Sequence, residues 1–398
     1  MPNPHPQRFV RPPLRNRFRY VAVGLPSVVF MSIGSPMAWA DDSITLDLVR
    51  HGESVANAMG ILDTTPPGTG LTTPTGYDQA LAVAQAIQAE YGNSIAGIYA
   101  SQQIRTLDTA EPLAKALDMW PLQPDHILPG LNEIPAGIFN GSPELSLGGL
   151  LYYLAPVAWV LGLELVPDLG DPSVNGVTFD ESFGGAVQTI FDNTVASGDS
   201  NPTDVAFSSE GAMAVWTLMN VKNPDFSVVL QQLLTTGQLL PNGGQVVVEG
   251  NPGDWTLVSY DGTAVPQDPG LPTELFVDFR NLIEAPQFAA YNIWEALLTG
   301  DPTMIMSAIE AGANEVGTTT AQFPVAVFDD IVNALGGGGS TAAANLATGL
   351  NPDALLGGLN LTDLSTELAN LLPTTATELS ALLPGQLAAM VGDVLALF

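Results

Sequence analysis

Arg50-His51-Gly52-Glu53-Ser54, with Asn57 three residues on, brings together the residue types that handle a phosphoryl group. An arginine offers a planar fork to phosphate oxygens, and an imidazole can act as a nucleophile. Gly52 lets the backbone come close to whatever Arg50 and His51 hold. A second arginine stands in Ser101-x-x-x-Arg105-x-x-x-Thr109-Ala110, one helical turn from Thr109 on the same face. An anion near the start of that helix would meet free N–H groups as well as Arg105. The competing reading of Arg105 is a solvated side chain paired with Asp108 or Glu111. Glu133, within Leu131-Asn132-Glu133-Ile134-Pro135-Ala136-Gly137, is a carboxyl that a dry pocket could turn into a proton donor. Its bland alternative is simple pairing with an arginine. His126, the only other histidine after residue 40, reads as partly exposed structure.

These residues need elements to position them. The β-rich run Ile44, Leu46, Leu48, Val49 reads as a strand that delivers Arg50 and His51 to a sheet edge, where α/β folds place ligands. A Pro/Gly/Thr loop over Thr64–Thr75 precedes a helix to about Tyr91. Thr73 is its expected N-cap, Ala80, Val83, Ala84 and Ile87 lie on one face, and Gly92 sits at the C-terminal cap. Ser94–Ala100 reads as a strand, followed by a helix to about Leu117 capped by Ser101, and Pro121–Leu131 as a further strand. A helix is expected over Phe183–Val195. Asp204–Ser208 reads as a strand leading through Ser209-Glu210-Gly211-Ala212 into an apolar helix ending at Met219. Gln245–Glu249 and Trp255–Tyr260 form a hairpin around Asn251-Pro252-Gly253-Asp254. Leu271–Leu335 reads as helical pieces with breaks at Gly300-Asp301-Pro302 and at Gly312.

Taken together, the strand, the Arg50-His51-Gly52-Glu53-Ser54 run and Asn57 resemble the histidine phosphatase (phosphoglycerate mutase-like) superfamily, whose signature is Arg-His-Gly-Glu-Thr/Ser-x-x-Asn. The segment Thr73-x-x-Gly76-x-x-Gln79-Ala80, the Arg105 motif and the Glu133 loop match further segments in order and spacing, although Thr72 replaces a leucine. The resemblance covers roughly Ile44–Tyr260. It implies a three-layer α/β/α sandwich with a mixed central sheet, to which this chain adds a helical C-terminal extension. It also implies roles: His51 as nucleophile, Arg50 and Arg105 on the phosphate oxygens, Glu133 as proton donor, and Asn57, Ser209, Gly211 and Ala212 around the substrate. The match fails at one position. Where the family has Ser-His-Gly-Gly-Ala, this chain reads Ser208-Ser209-Glu210-Gly211-Ala212, so Ser209 replaces the second histidine and Glu210 adds a negative charge.

Composition sets the surroundings. Arg8, Arg11, Arg15, Arg17 and Arg19 precede an apolar run, Tyr20–Met37, and Ala38-Trp39-Ala40 fits a small-x-small cleavage site, so 1–40 reads as a signal peptide for an exported, secreted or envelope-associated protein. An uncleaved anchor is the alternative, weakened by Pro26 and Gly34. Cleavage after Ala40 removes five arginines and no acid, taking the net charge from −31 to −36 and leaving Arg50, Arg105, Lys115, Lys222 and Arg280 as the only basic residues. Such a surface excludes nucleic acid as a partner. With no cysteine, disulfides and thiolate metal sites are excluded. The remaining chain divides into a phosphatase-like domain at 41–265 with an apolar insert at 145–166, a helical extension at 266–335, a glycine linker at 336–340 and a Leu/Ala-rich tail at 341–398.

Leu145–Leu163 runs nineteen residues without a charge, yet Pro156 argues against a membrane span. It is expected to cap the pocket, with Tyr152, Tyr153 and Trp159 partly exposed or lining a groove, and to touch lipid or envelope together with the tail. Two functional classes follow. One is a phosphomonoesterase acting on a phosphorylated small molecule without metal or cofactor, slowed by the missing histidine. The other is a catalytically inactive member that binds an anionic ligand or an envelope partner.

Overall fold

The computed structural model describes residues 43–198 and 202–334. The signal-peptide, glycine-linker and tail readings lie outside the described residues. In chain order the elements are β1 (Ile44–Arg50), α1 (Val55–Met59), α2 (Thr75–Tyr91), β2 (Ile95–Ala100), α3 (Ile104–Ala116), α4 (Leu147–Val160), α5 (Gly176–Ser197) and β3 (Thr203–Ser208). There follow α6 (Glu210–Asn220), α7 (Phe226–Thr236), β4 (Gln245–Asn251), β5 (Asp254–Tyr260), β6 (Thr263–Ala264), α8 (Leu271–Thr299) and α9 (Pro302–Ala334).

The strands form one mixed sheet in the order β2-β3-β1-β4-β5-β6. β1 and β2 both run parallel to β3, while β4 runs antiparallel to β1 and forms the expected hairpin with β5. β1 is central and covered on both faces, so every one of its residues except Thr45 is buried. Ile44, Leu46 and Leu48 point to one layer, with Tyr152, Trp159, Phe183 and Trp216 from α4, α5 and α6. Val49, Val205 and Phe207 point to the other, with Val83, Ala84, Ile87, Ala110 and Leu113 from α2 and α3. The result is the three-layer α/β/α sandwich. Its three parallel strands end side by side at Arg50, Ala100 and Ser208, the carboxyl edge where such sheets hold ligands.

One buried residue of β1 is at odds with the apolar pattern. The Asp47 carboxyl is fully buried, accepts one hydrogen bond from Gln245 Nε2 at 2.6 Å, and its Oδ1 has no partner among the described residues. Burial pushes its pKa up to about 8, so the acid stays protonated at neutral pH.

Several local expectations need correction. Pro121–Leu131 is not a strand: it forms two 3-10 turns, Pro124–His126 and Pro129–Leu131, with one parallel bridge from Ile127 to Ala100. Pro121, Pro124 and Pro129 lack the N–H groups that a ladder needs. α2 starts after Pro74, and the side chain that accepts from its first turn is Thr72, whose Oγ1 takes the Gly76 N–H at 3.0 Å, not Thr73. Ser101 does not cap α3 from the N-cap position, which Gln103 occupies. Instead it accepts from the Gln103 N–H at 3.3 Å and pairs with Thr106. α5 starts seven residues before the expected Phe183, because Asn175 and Thr178 form a capping box. Pro156 lies inside α4 without ending it.

The extension is a helical hairpin. α8 docks through Phe276 and Val277 against Leu161, through Arg280 Nη1 donating to the Leu218 carbonyl (2.6 Å) and Gln287 Nε2 donating to that of Gly162 (2.6 Å). Gly300 in the left-handed region ends α8, and α9 then runs through Gly312 unbroken. Gly312 is a contact point, not a break: a Cβ there would stand 2.9 Å from that of Ala289.

Candidate active site

The carboxyl edge of the sheet opens into a pocket lined by Arg50, His51, Asn57, Arg105 and Glu133, five of the residues singled out in the sequence, together with Asp63, Glu144, Tyr152, Tyr153 and Glu210. His51 leaves β1 with its backbone N–H on the Ser208 carbonyl of β3 (3.1 Å). Its ring is buried. Nδ1 lies 2.7 Å from the Gly52 carbonyl and Nε2 lies 2.8 Å from Arg105 Nε. A carbonyl can only accept and a guanidinium can only donate, which assigns the proton to Nδ1 and the lone pair to Nε2. Burial, reinforced by Arg105 and Arg50, holds the His51 pKa well below its usual value and the ring neutral.

The loop carrying His51 is fixed by backbone contacts. Gly52 donates to Thr109 Oγ1 (3.0 Å), tying it to α3. A Cβ on Gly52 would fall 2.5 Å from the Gly76 carbonyl oxygen, and one on Gly76 would fall 2.2 Å from that of Glu53. Only two glycines permit this approach of the loop to α2. Asn57 closes a capping box with Ser54, and its Oδ1 also accepts from Asn242 at 3.3 Å.

Each anion-binding group of the pocket faces a carboxylate of the chain. Arg50 Nη1 meets Glu210 Oε2 at 2.7 Å and also donates to Gln238 Oε1 (2.8 Å) and the Leu240 carbonyl, while its buried Nε has no partner among the described residues. Arg105 Nη1 lies 3.4 Å from Asp63 Oδ2. The Gly211 and Ala212 N–H groups at the start of α6 donate to Glu133 at 3.1 and 2.8 Å, so they serve this carboxylate instead of standing open to a substrate. Glu133 also accepts from Ile134 N at 2.9 Å, yet burial outweighs these bonds and raises its pKa. Ser209 stands at the end of β3, fully buried, its Oγ donating to Gln103 Oε1 (3.1 Å) and accepting from Arg105 Nη2 (3.4 Å).

α4 supplies one wall, but not as expected throughout. Tyr152 and Tyr153 line the pocket, Tyr152 donating to the Ile134 carbonyl at 2.9 Å. Trp159 is wholly buried, its Nε1 bonded to Val166 O at 2.7 Å, so it presents nothing to solvent. The indole is large enough to complete the core between α4 and α5, where it stacks on Phe179. No helix among the described residues is long and apolar enough to cross a membrane. His126 is half-buried, stacked on Tyr99 and bonded to Ile98 O at 3.0 Å, away from the pocket. Asp63 and Glu144 escaped the sequence reading because each sits in an irregular segment with no motif around it.

Residues 46–148, the stretch that holds Arg50, His51, Arg105 and Glu133, match the model of the histidine phosphatase superfamily (branch 1). A PE-PGRS family protein of Mycobacterium tuberculosis, PE_PGRS11, is 51% identical over 302 residues, which cover 74% of this chain and 49% of the relative. The chain thus spans about half the length of that curated relative. Among solved structures, a phosphoserine phosphatase of Entamoeba histolytica in complex with phosphoserine is 24% identical over 55% of this chain and 97% of its own, with a TM-score of 0.38. A mycobacterial glucosyl-3-phosphoglycerate phosphatase is 18% identical over 55% and 100%, with a TM-score of 0.40.

Proposed function

We propose that the chain is an exported phosphomonoesterase that works through a phosphohistidine on His51 and needs no metal. The observation that carries this reading is the neutral His51 ring, its Nε2 lone pair held beside Arg105 with Arg50 lining the same pocket. As the phosphoryl group enters, Arg105 Nε shifts from that lone pair to a phosphate oxygen. Nε2 attacks phosphorus, the P–O bond to the alcohol breaks, and Glu133 gives its proton to the departing oxygen. Glu133 then takes a proton from water, whose oxygen attacks phosphorus and releases His51 and inorganic phosphate. The arginines stabilise the charge that gathers on the equatorial oxygens. Wild-type protein quenched in base during turnover of a labelled phosphomonoester should retain label on His51; absence of label at every pH would overturn the mechanism.

The pH profile carries a second check. Activity needs His51 neutral and Glu133 protonated. Because the His51 pKa is lowered, kcat/KM should hold as pH falls through 6.5, where an ordinary histidine gains its proton. Because the Glu133 pKa is raised, activity should be lost on the alkaline side as that acid ionises. An acid limb at about 6.5 would contradict the assigned state of His51.

Ser209 favours a second reading, a member that binds in this pocket without turnover. The two are separated by Ser209→His combined with Glu210→Gly. An imidazole at 209 would take up the position now bonded to Arg105 and Gln103, and loss of Glu210 would free Arg50 for phosphate. Turnover of phosphomonoesters of neutral alcohols should rise at least about tenfold, or about 1.4 kcal/mol of barrier. A folded double variant with no measurable turnover would favour the binding protein.

A further inference from the structure

We propose that the preferred substrates are phosphomonoesters whose alcohol carries an ammonium group. This rests on the phosphatase reading of the same pocket and adds the class of substrate. A phosphate site ordinarily gathers positive charge, and this one does the opposite. Its walls hold two cations, Arg50 and Arg105, against three carboxylates, Asp63, Glu144 and Glu210, besides the Glu133 carboxyl that serves as the acid. His51 adds no charge, being held neutral. Three of the carboxyl groups already have partners: Asp63 on Arg105, Glu210 on Arg50, and Glu133 on the α6 amides. Glu144 has none. Its backbone is anchored through its N–H on the Gly60 carbonyl at 2.9 Å, while its side chain makes no ion pair or hydrogen bond among the described residues and lines the pocket.

A phosphate arriving at Arg50 and Arg105 therefore adds negative charge to a site already in excess of it. A second anionic group on the substrate would deepen the repulsion, and a neutral one would leave it. An ammonium group within reach of Glu144 and Glu210 offsets it, and in a partly desolvated pocket that attraction exceeds its value in water. Tyr153, paired edge-to-face with Tyr152 at 4.9 Å, adds an aromatic face suited to the same cation. The acidity of the chain as a whole attracts such a substrate and disfavours dianionic and trianionic ones. The phosphoryl end is thus read by the arginines and the alcohol end by Glu144 and Glu210.

Three esters of similar size separate the possibilities: 2-aminoethyl phosphate, propyl phosphate and phosphoglycolate. Binding is measured by calorimetry on His51→Ala, which cannot consume them, and kcat/KM on the wild type. The expected order is amine, neutral, acid, with at least a tenfold difference in Kd between the first and last. In Glu144→Gln and in Glu210→Gln the ratio of amine to neutral ester should shrink several-fold. Equal binding of the three, or preference for phosphoglycolate, would overturn the substrate class even if all are hydrolysed. The expected binding order without turnover would keep the recognition and discard the phosphatase.

Discussion

Phosphomonoester turnover should fall by roughly three orders of magnitude in His51→Ala, about 4 kcal/mol of barrier. The variant loses the atom that bonds to phosphorus, and what remains is the electrostatic help of Arg50 and Arg105, already shared with Glu210 and Asp63. Truncating the buried ring also leaves a small cavity, and typical core truncations cost a few kcal/mol of stability. Activity and thermal unfolding measured on the same preparation separate the two effects: a folded variant without turnover is expected. Retention of more than a tenth of wild-type kcat would mean that another group makes the bond.

The largest expected effect on stability belongs to Asp47. Its folded-state pKa is raised from 3.8 to about 8 by burial. Folding therefore holds a proton that the unfolded chain releases above its own pKa, so the destabilisation is absent below about pH 4, grows with rising pH and levels off above about 8. Asp47→Asn keeps the acceptor for Gln245 and cannot ionise. The stability of the variant over the wild type should grow by about 1.4 kcal/mol per pH unit across that window, reaching several kcal/mol at pH 8. Urea unfolding at pH 4.5, 6 and 8 measures the difference, and other groups cancel in the comparison. A constant difference across the three would show that Asp47 does not carry the proton.

Most of what the sequence made legible lies where a short run of chain determines its own geometry. The strand before Arg50, the Arg105 helix and the β4–β5 hairpin follow from local periodicity and turn residues. Pro121–Leu131 misled because its apolar content suits a strand while its prolines deny the ladder. Gly312 misled because a glycine that breaks an isolated helix can equally admit a neighbouring one, here Ala289 of α8. In the site, Arg50, His51, Arg105 and Glu133 were readable because each stands in a spaced motif. Glu210 was readable in its motif as an added negative charge, but its contact with Arg50 and that of Asp63 with Arg105 come only from tertiary packing. Trp159 shows the same limit. An apolar run gives the helix but not the face, and the face decides between core and surface.

The reciprocal fit of Gly52 and Gly76 has a consequence for how this pocket can change over generations. Main chain meets main chain there, so no replacement of a side chain can move the loop that follows His51, and a methyl group at either glycine collides with the facing backbone. The pocket itself is lined in part by the side chains of Glu144, Tyr152 and Tyr153. Glu144 and Tyr153 lie outside the fully buried core and can be exchanged with less effect on it than Tyr152, which packs under β1. Inheritance can therefore redraw what the pocket accepts on one side while the reacting end stays where it is.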